Sequence, residues 1–143
     1  MSRFLSFLIR IMSNDFILKF GVGKLISLII RLVFSCQASP GVKIGKNVKI
    51  GYGGLGCVFH GSAVIGDNVT IGSNVTLGGN FNKGGVPVIE EGAYIATGAK
   101  VLGPVKVGKY SVVGANSVVI SDVPERVIVA GSPARVIKRI EDV

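Results

Sequence analysis

Residues 65–79 read IGDNVTIGSNVTLGG, and an aliphatic residue returns every six positions in this stretch. The same period extends outward in both directions. Its large apolar positions are Ala38, Ile44, Ile50, Phe59, Ile65, Ile71, Leu77, Ile89, Ile95, Val101, Val107, Val113 and Val119. A period of six fits neither an α-helix nor a hairpin strand. It is typical of a parallel β-helix, in which each six-residue unit forms one wall of a triangular coil, and it therefore predicts an all-β fold.

Glycine and asparagine recur between the apolar positions, where such a coil turns its corners. The residues concerned are Gly45, Gly66, Asn68, Gly72, Asn74, Gly108, Gly114 and Asn116. Both residue types tolerate the left-handed backbone region better than other residues do. We therefore expect them at the corners because of the φ values that tight corners require.

The rhythm is interrupted twice. A three-residue slip falls across GGLGCV, residues 53–58, and the single histidine of the chain, His60, follows it directly. The second interruption is GGNFNKGGVP, residues 78–87, where Lys83 takes the place of the expected aliphatic residue. A Gly/Asn-rich stretch of this kind predicts a loop that leaves the coil. Functional residues concentrate on loops held by a rigid scaffold, so both interruptions are candidate site segments.

Composition limits the classes of partner. The net charge of +8 is compatible with anionic lipid or a phosphate-bearing ligand. Nucleic acid is not expected, because the chain has no basic run and no basic patch interleaved with aromatic residues. One histidine and two cysteines, Cys36 and Cys57, are too few for a zinc site or a disulfide framework. We therefore predict no metal.

The first 34 residues differ from the rest. Polar residues fall three and four apart in two sets, which are Arg3, Ser6, Arg10 and Ser13, and then Lys24, Ser27 and Arg31. Each set predicts a helix with a narrow polar stripe and wide apolar faces, and SND at 13–15 predicts a break between them. Charges interrupt every window of about 20 residues, so a membrane span is not favoured. Contact with a membrane surface is preferred, and packing of the helices beneath a trimer is the alternative.

Three stretches resemble the left-handed β-helix acyltransferases of the hexapeptide family. They are IGDNVTIGSNVTLGG, YIATGAKVLGPVKVG at 94–108, and VVGANSVVISDVP at 112–124 with VAGSPARVI at 129–137. The likeness covers about residues 35–140 and is greatest to the serine acetyltransferase-like branch, which includes polysaccharide O-acetyltransferases. It implies a left-handed parallel β-helix, a homotrimer, acetyl-CoA as the donor, and active sites between neighbouring subunits.

The sequence departs from the serine acetyltransferase pattern at three places. Gln37, Tyr52 and Val86 stand where that pattern has an aspartate and two histidines. The stretch GLGCVFHG instead resembles polysaccharide-type members, whose histidine closes a comparable stretch. On this resemblance His60 is the catalytic histidine, and the predicted acceptor is a hydroxyl of a sugar.

The chemistry of acetyl transfer assigns further roles. A base must take the hydroxyl proton, and histidine titrates close to neutral pH, so His60 is expected to act as the general base. No Cys or Ser arrangement suggests a covalent acyl-enzyme, so direct transfer to the acceptor is expected. Its alternative role is to cap a corner of the coil. Backbone N–H groups at Gly78 and Gly79 are expected to bind the oxyanion beside the bound donor. Residues expected to contact the acceptor are Tyr52, Asn80, Asn82 and Lys83.

Coenzyme A carries phosphates, and cations are therefore expected where it binds. The tail SPARVIKRI places Arg135, Lys138 and Arg139 after the last coil, where they would contact the 3′-phosphate or remain as solvated charges. Backbone amides near Ala96, Gly98 and Gly114 are expected to hold the pantetheine arm.

The sequence thus predicts three segments: amphipathic helices at 1–35, a β-helix at 36–124 with a loop at 78–87, and a C-terminal segment at 125–143. The predicted function is an acetyl-CoA-dependent O-acetyltransferase that acts on a sugar hydroxyl of a surface polysaccharide or its precursor. Its predicted location is the cytoplasm, at the inner face of the membrane. The alternatives are a serine or amino-sugar acetyltransferase, and a catalytically silent, membrane-associated scaffold trimer.

Overall fold

A computed structural model describes residues 2–82 and 84–141 of the chain. Three helices come first: α1 (Ser2–Met12), α2 (Asp15–Lys19) and α3 (Val22–Phe34). Short strands follow, which are β1 (Gln37–Ala38), β2 (Lys43–Ile44), β3 (Lys49–Ile50), β4 (Val58–Phe59), β5 (Val64–Ile65), β6 (Thr70–Ile71), β7 (Thr76–Gly78), β8 (Val88–Ile89), β9 (Tyr94–Ile95), β10 (Lys100–Leu102), β11 (Lys106–Val107), β12 (Val112–Val113), β13 (Val118–Val119), β14 (Val127–Gly131) and β15 (Ala134–Arg139).

The strands stack into three parallel sheets that form the walls of a solenoid. The first wall has the order β1-β4-β7-β10-β13, and the second has the order β2-β5-β8-β11. The third wall has the order β3-β6-β9-β12-β14, to which β15 adds an antiparallel edge strand. From β1 to β13 every third strand lies on the same wall, so three strands make one coil. The parallel β-helix predicted from the six-residue period is confirmed, together with its N-terminal helical segment.

The pairing register shows where the two interruptions lie. Val58 pairs with Thr76, which is 18 residues further along the chain, as three units of six require. Gln37 pairs with Val58 at a spacing of 21, so the slip adds three residues between the third and first walls. Thr76 pairs with Lys100 at a spacing of 24, so the loop adds six residues between the first and second walls. Both insertions leave the stacking of the walls intact.

The core is the column predicted from the sequence. The apolar residues of the six-residue period listed above are at most 1% exposed, except Ile44, which is partly exposed. Small residues fill the position four places after each residue of the column. Ser111 and Ser117 are buried there alongside valines and alanines. Phe59 is the largest fully buried side chain and lies in the second coil.

The φ argument holds for the corner asparagines and is wrong for the glycines. Asn68, Asn74 and Asn116 have φ values of 58°, 56° and 55°. The glycines Gly45, Gly66, Gly72, Gly108 and Gly114 lie outside the left-handed region. Their constraint is space, because a Cβ at Gly72 would lie 2.6 Å from the backbone nitrogen of Thr97 in the next coil. Glycine is therefore needed at these positions because the neighbouring backbone passes close by.

The helices close the N-terminal end of the solenoid. Leu5, Ile9 and Met12 of α1 and Ile30 of α3 are fully buried and extend the core of the first coil. The break predicted at 13–15 is present, and Asn14 caps α2 by accepting a hydrogen bond from the N–H of Phe16 (3.0 Å). Among the described residues, no helix has the length and apolar character needed to cross a membrane.

The serines of the predicted polar stripes face inward, contrary to the simple amphipathic interpretation. Ser6 and Ser27 are only 6% and 7% exposed. Ser27 Oγ donates to the carbonyl of Ala38 in β1 (2.6 Å), while the guanidinium of Arg10 reaches the carbonyl of Gly45. The small serines allow the helices to approach the first coil closely, and larger apolar residues are left on the outer side.

Candidate functional site

His60 lies directly after β4, at the corner between the first and second walls. Its backbone N–H donates to the carbonyl of Leu77 in the next coil (2.9 Å), and its carbonyl accepts from the N–H of Ala63 (2.9 Å). The imidazole is exposed, and its Nδ1 accepts a hydrogen bond from the N–H of Ser62 (3.1 Å). The backbone is thus held by the coil while the ring faces solvent.

The Ser62 contact has a consequence for proton transfer. When Nδ1 accepts a hydrogen bond, the neutral ring carries its proton on Nε2. Within residues 2–82 and 84–141, the ring makes no hydrogen bond or ion pair with a carboxylate. A base therefore has to act through Nδ1, in place of the Ser62 contact, or through Nε2 once that contact is broken and the ring proton has moved to Nδ1.

The same contact is also a corner cap. Asn14 and Asn80 each accept a hydrogen bond from the N–H two residues further on, at 3.0 and 2.8 Å, in the pattern of an Asx turn. His60 makes the equivalent contact with Nδ1 instead of an amide oxygen. The capping role considered from the sequence is therefore present in the structure, alongside the exposure that a base needs.

Gly78 and Gly79 lie one coil above His60 on the same corner. Phe59 pairs with Leu77, so the residues that follow, His60 and Gly78, are also stacked. The loop predicted at 78–87 leaves the solenoid here, directly above His60. His60 at the slip and the base of the loop therefore lie next to each other in the structure.

Gly79 has a feature suited to oxyanion binding. Within the described part of the chain, its N–H donates no backbone hydrogen bond. Gly79 is exposed, and a Cβ built on it would meet only the carbonyl oxygen of Gly85, at 3.7 Å, where the loop returns. Gly85 itself has φ of 109° and packs against Pro104 of the next coil. The loop thus closes near its base, where the exposed Gly79 has a backbone N–H that no backbone acceptor of the described residues uses.

The loop also carries the predicted acceptor residues Asn80 and Asn82, both exposed. Their Asx turn orders the first part of the loop. Phe81 between them is fully exposed. Lys83 lies outside the described residues.

Tyr52 lies at a different corner, between the third and first walls. It is part of the tight turn Gly51–Gly54 inside the slip, has φ of 51°, and is 80% exposed. Ala96, Gly98 and Gly114 follow strands of the third wall and share this corner in later coils. Within one chain, the predicted site residues therefore lie at these two corners and on the C-terminal strand β15, and Tyr52 is not brought together with His60.

The backbone amides assigned to the pantetheine arm are already used within the solenoid. Ala96 N–H donates to Val113, and Gly98 N–H donates to Ser73, both at 2.9 Å. Gly114 N–H donates to Val129 at 2.8 Å. These three N–H groups are therefore not free to bind the donor without breaking a bond between coils. That backbone amides near Ala96, Gly98 and Gly114 hold the pantetheine arm stays a prediction.

Arg135 and Lys138 lie on β15, the exposed edge strand at the C-terminal end of the solenoid. Arg135 Nη1 donates only to the neighbouring Ala134 carbonyl (3.0 Å), and both side chains are exposed. Lys138 lines a pocket with Ile128, Arg139, Ile140 and the acidic Glu141. Neither cation forms an ion pair with the described residues, so both are available to a phosphate.

A groove on the corner of His60 was missed from the sequence. It continues past the loop toward the C-terminal coils and is lined by Asn80, Pro104, Val105, Ile120, Ser121 and Asp122. Asp122 is held by the N–H of Lys106, which donates to its Oδ1 (2.8 Å). The signal in the sequence that could have indicated this groove is the polar pair SD at 121–122, which falls at a corner. From the sequence, this pair was used only as part of the stretch that resembles the hexapeptide family.

The two thiols are poor nucleophiles. Cys36 and Cys57 are buried at the first and second coils. Burial, and after it the neighbouring Cys57, raises the pKa of Cys36 to about 12. The thiolate is the reactive form of cysteine, so neither residue is suited to carry an acyl group. This agrees with the direct transfer expected from the sequence.

Residues 87–121 match a family model described as bacterial transferase hexapeptide (six repeats). The chain carries hexapeptide repeats of the bacterial transferase type. It is 44% identical over 121 residues to a serine acetyltransferase of Bacillus licheniformis. The aligned part makes up 83% of this chain and 56% of the relative. The resemblance to the hexapeptide transferases is therefore supported.

Solved structures give the same result. A serine acetyltransferase in complex with cysteine matches with a TM-score of 0.85 and 35% identity, over 92% of this chain and 52% of that one. A serine acetyltransferase in complex with CoA matches with a TM-score of 0.74 and 38% identity, over 82% and 48%. The chain spans about half the length of the relatives it matches.

Proposed function

We propose that this chain transfers an acetyl group from acetyl-CoA to a hydroxyl, with serine as the first candidate acceptor. The observation that carries the proposal is the corner where the His60 imidazole lies one coil below the Gly79 N–H and the base of the loop. In this proposal a base and an oxyanion donor are stacked on one corner, and the groove that begins at Asn80 and Pro104 lies on the same corner in the following coils. The similarity to serine acetyltransferases, including one in complex with CoA, supports the donor and the acceptor class.

In the proposed reaction the acceptor hydroxyl attacks the thioester carbonyl directly. His60 takes the hydroxyl proton as the new C–O bond forms, and the carbonyl oxygen becomes an oxyanion at the Gly79 N–H. The C–S bond then breaks, and the thiolate of coenzyme A takes the proton back from the imidazolium. No acyl-enzyme is formed, in accord with the buried thiols. Arg135 and Lys138 are proposed to hold the phosphates of the donor.

A homotrimer is proposed because the site residues are divided between two corners of one solenoid. His60 and the loop lie between the first and second walls, while Tyr52 lies between the third and first walls. In a three-fold assembly about an axis parallel to the solenoid, one corner of each chain faces a different corner of its neighbour. Such an arrangement brings Tyr52 of one subunit toward the loop of the next.

A sugar hydroxyl is the second candidate acceptor. It is favoured by Gln37, Tyr52 and Val86, which stand where the serine acetyltransferase pattern has an aspartate and two histidines. Tyr52 is highly exposed and would present a phenol where that pattern presents an imidazole. The names of the relatives give no support to a polysaccharide acceptor or to a location at the membrane face. Both therefore remain predictions.

The test is an acceptor screen with labelled acetyl-CoA and the purified chain. L-serine is compared with simple hexoses and amino sugars, and each reaction is run with the wild type and with His60→Ala. We expect labelled O-acetylserine from the wild type, at a rate at least about 100-fold above that of the variant. Transfer to sugars alone would select the second acceptor. Absence of transfer to every acceptor would support a silent scaffold and overturn the proposal.

A further inference from the structure

The N-terminal helices present a broad apolar face on the side away from the solenoid. In α3, the residues turned inward are Gly23, Ser27 and Ile30, so its larger aliphatic residues point outward. The exposed apolar residues are Phe4, Phe7, Phe16, Phe20, Val22, Leu25, Leu28, Ile29, Leu32 and Val33, with exposures of 42–75%. An apolar surface of this extent marks a contact with another phase or another molecule.

Part of this surface is a groove between α2 and α3. It is lined by Phe16, Ile17, Phe20 and Val22, which are all apolar. The rings of Phe16 and Phe20 lie 4.8 Å apart and stand exposed beside it. The groove therefore offers no hydrogen-bond partner from a side chain, and its chemistry suits a hydrocarbon chain.

The charges around this face have one sign. Exposed cations on the helices and their connections are Arg3, Arg10, Lys19, Lys24 and Arg31. Asp15 is the acidic residue among the described residues of this segment. None of the five cations forms an ion pair within residues 2–82 and 84–141. Arg10 donates to the Gly45 carbonyl, and Arg3 and Arg31 line pockets against the solenoid, which leaves Lys19 and Lys24 as uncompensated positive charge beside the apolar face.

We propose that this face docks on an anionic lipid surface, with the helices lying in the membrane interface. Basic residues beside a wide apolar face are the arrangement that binds anionic headgroups while burying side chains among the acyl chains. A second copy of the chain fits this face less well. Two such faces in contact would bring the positive charges of one copy against those of the other, and each copy has one aspartate to offset them. The described helices are too short to span a bilayer, so docking is at the surface.

The inference does not depend on the proposed reaction. It concerns the outer face of the helices, whereas the proposed site begins in the second coil. Successive coils are about 5 Å apart. Docking would therefore hold His60 and the loop on the order of 10 Å beyond the helices, clear of the docked face.

The test is sedimentation of the full chain with vesicles of phosphatidylcholine alone or mixed with phosphatidylglycerol. We expect binding to the mixed vesicles, weakened by added salt. Lys19→Gln with Lys24→Gln should weaken it by about 25-fold, at about fivefold for each charge. The matched control, Lys106→Gln with Lys109→Gln, removes two exposed cations of the fourth coil and should leave binding unchanged.

A second variant tests the apolar contribution. Leu32→Gln with Val33→Gln alters side chains that are 75% and 68% exposed, so the fold should persist by circular dichroism. We expect loss of vesicle binding with an unchanged molecular mass by light scattering. Equal binding of the wild type to neutral and anionic vesicles, or no binding to either, would overturn the inference. A change of oligomeric mass in this variant, without vesicle binding by the wild type, would assign the face to contacts between copies.

Discussion

Replacement of His60 separates its two possible roles, because the structure gives it both a corner contact and an exposed ring. In His60→Ala the backbone bonds to Leu77 and Ala63 remain, and the side chain loses one hydrogen bond, from the N–H of Ser62. Such a bond contributes about 0.5–1.5 kcal/mol, at the low end here because the freed N–H can bind water. For a chain of this size the melting temperature should fall by roughly 1–5 °C. Loss of a general base should lower kcat by about 10²–10⁴-fold.

His60→Asn is the matched variant. Its amide oxygen can accept the N–H of Ser62 as an Asx turn does at Asn14 and Asn80, but it cannot take a proton. We expect the melting temperature of the wild type and the low kcat of His60→Ala. The assay follows release of the coenzyme A thiol, with which the buried Cys36 and Cys57 should not interfere. Activity close to wild type in His60→Asn would refute the base assignment and leave His60 as a cap.

Three further predictions address the donor end, the corners and the helices. Arg135→Gln with Lys138→Gln should raise the KM for acetyl-CoA more than the KM for the dephospho-CoA thioester, and an equal effect on both donors would exclude contact with the 3′-phosphate. Gly72→Ala should lower the free energy of unfolding by about 1–3 kcal/mol, since its Cβ would lie 2.6 Å from the Thr97 nitrogen, and Gly72→Asn should cost at least as much. Gly79→Ala, whose Cβ meets no such contact, is the control in the same denaturant titration. A Gly72→Asn variant as stable as the wild type would show that the backbone φ angle, and not space, selects glycine at position 72. Deletion of residues 1–34 should give an aggregating chain by light scattering, because it uncovers the core of the first coil; a soluble truncated chain would show that the cap is dispensable.

The solenoid could be predicted from the sequence because its repeat is local. Each six-residue unit contributes one apolar residue to the column, so the positions from Ile65 to Val119 can be read without knowledge of the partner strands. The two interruptions could be placed for the same reason, since an added segment shifts or breaks the period. The first wall accommodates spacings of 21 and 24 residues without losing its register.

The corner glycines show what a local argument misses. Gly66 and Gly72 follow isoleucines in the repeat, and their preference for glycine was assigned to φ. The actual constraint comes from the coil stacked above, 18 or more residues further along the chain, whose backbone leaves no room for a Cβ. The same limit applies to the pantetheine amides. The N–H of Ala96 is satisfied by Val113 of the following coil, which the local sequence does not reveal.

The candidate site was predicted in part. The position of His60 beside the loop follows from the order of the two interruptions along a stacked coil, and the structure has them on the same corner. The contact from Ser62 N–H to Nδ1 could not be predicted, because it depends on the rotamer of His60 and on the path of the turn. Tyr52 was grouped with the loop by resemblance, yet one chain places it at another corner, since six residues of wall separate successive corners.

The helical segment explains why an amphipathic pattern gives the polar stripe but not the direction in which it faces. The sequence places Ser6 and Ser27 on the same stripes as arginines and lysines, which suggests that the stripe faces water. In the structure the first coil takes the serines because it needs small side chains, while Arg10 and Arg31 lie at the surface. The inner side of the cap is then defined by Leu5, Ile9 and Ile30. The apolar residues left outside exceed what the solenoid can cover, and this excess, together with the unpaired cations, is the physical reason to look for a lipid surface beneath the molecule.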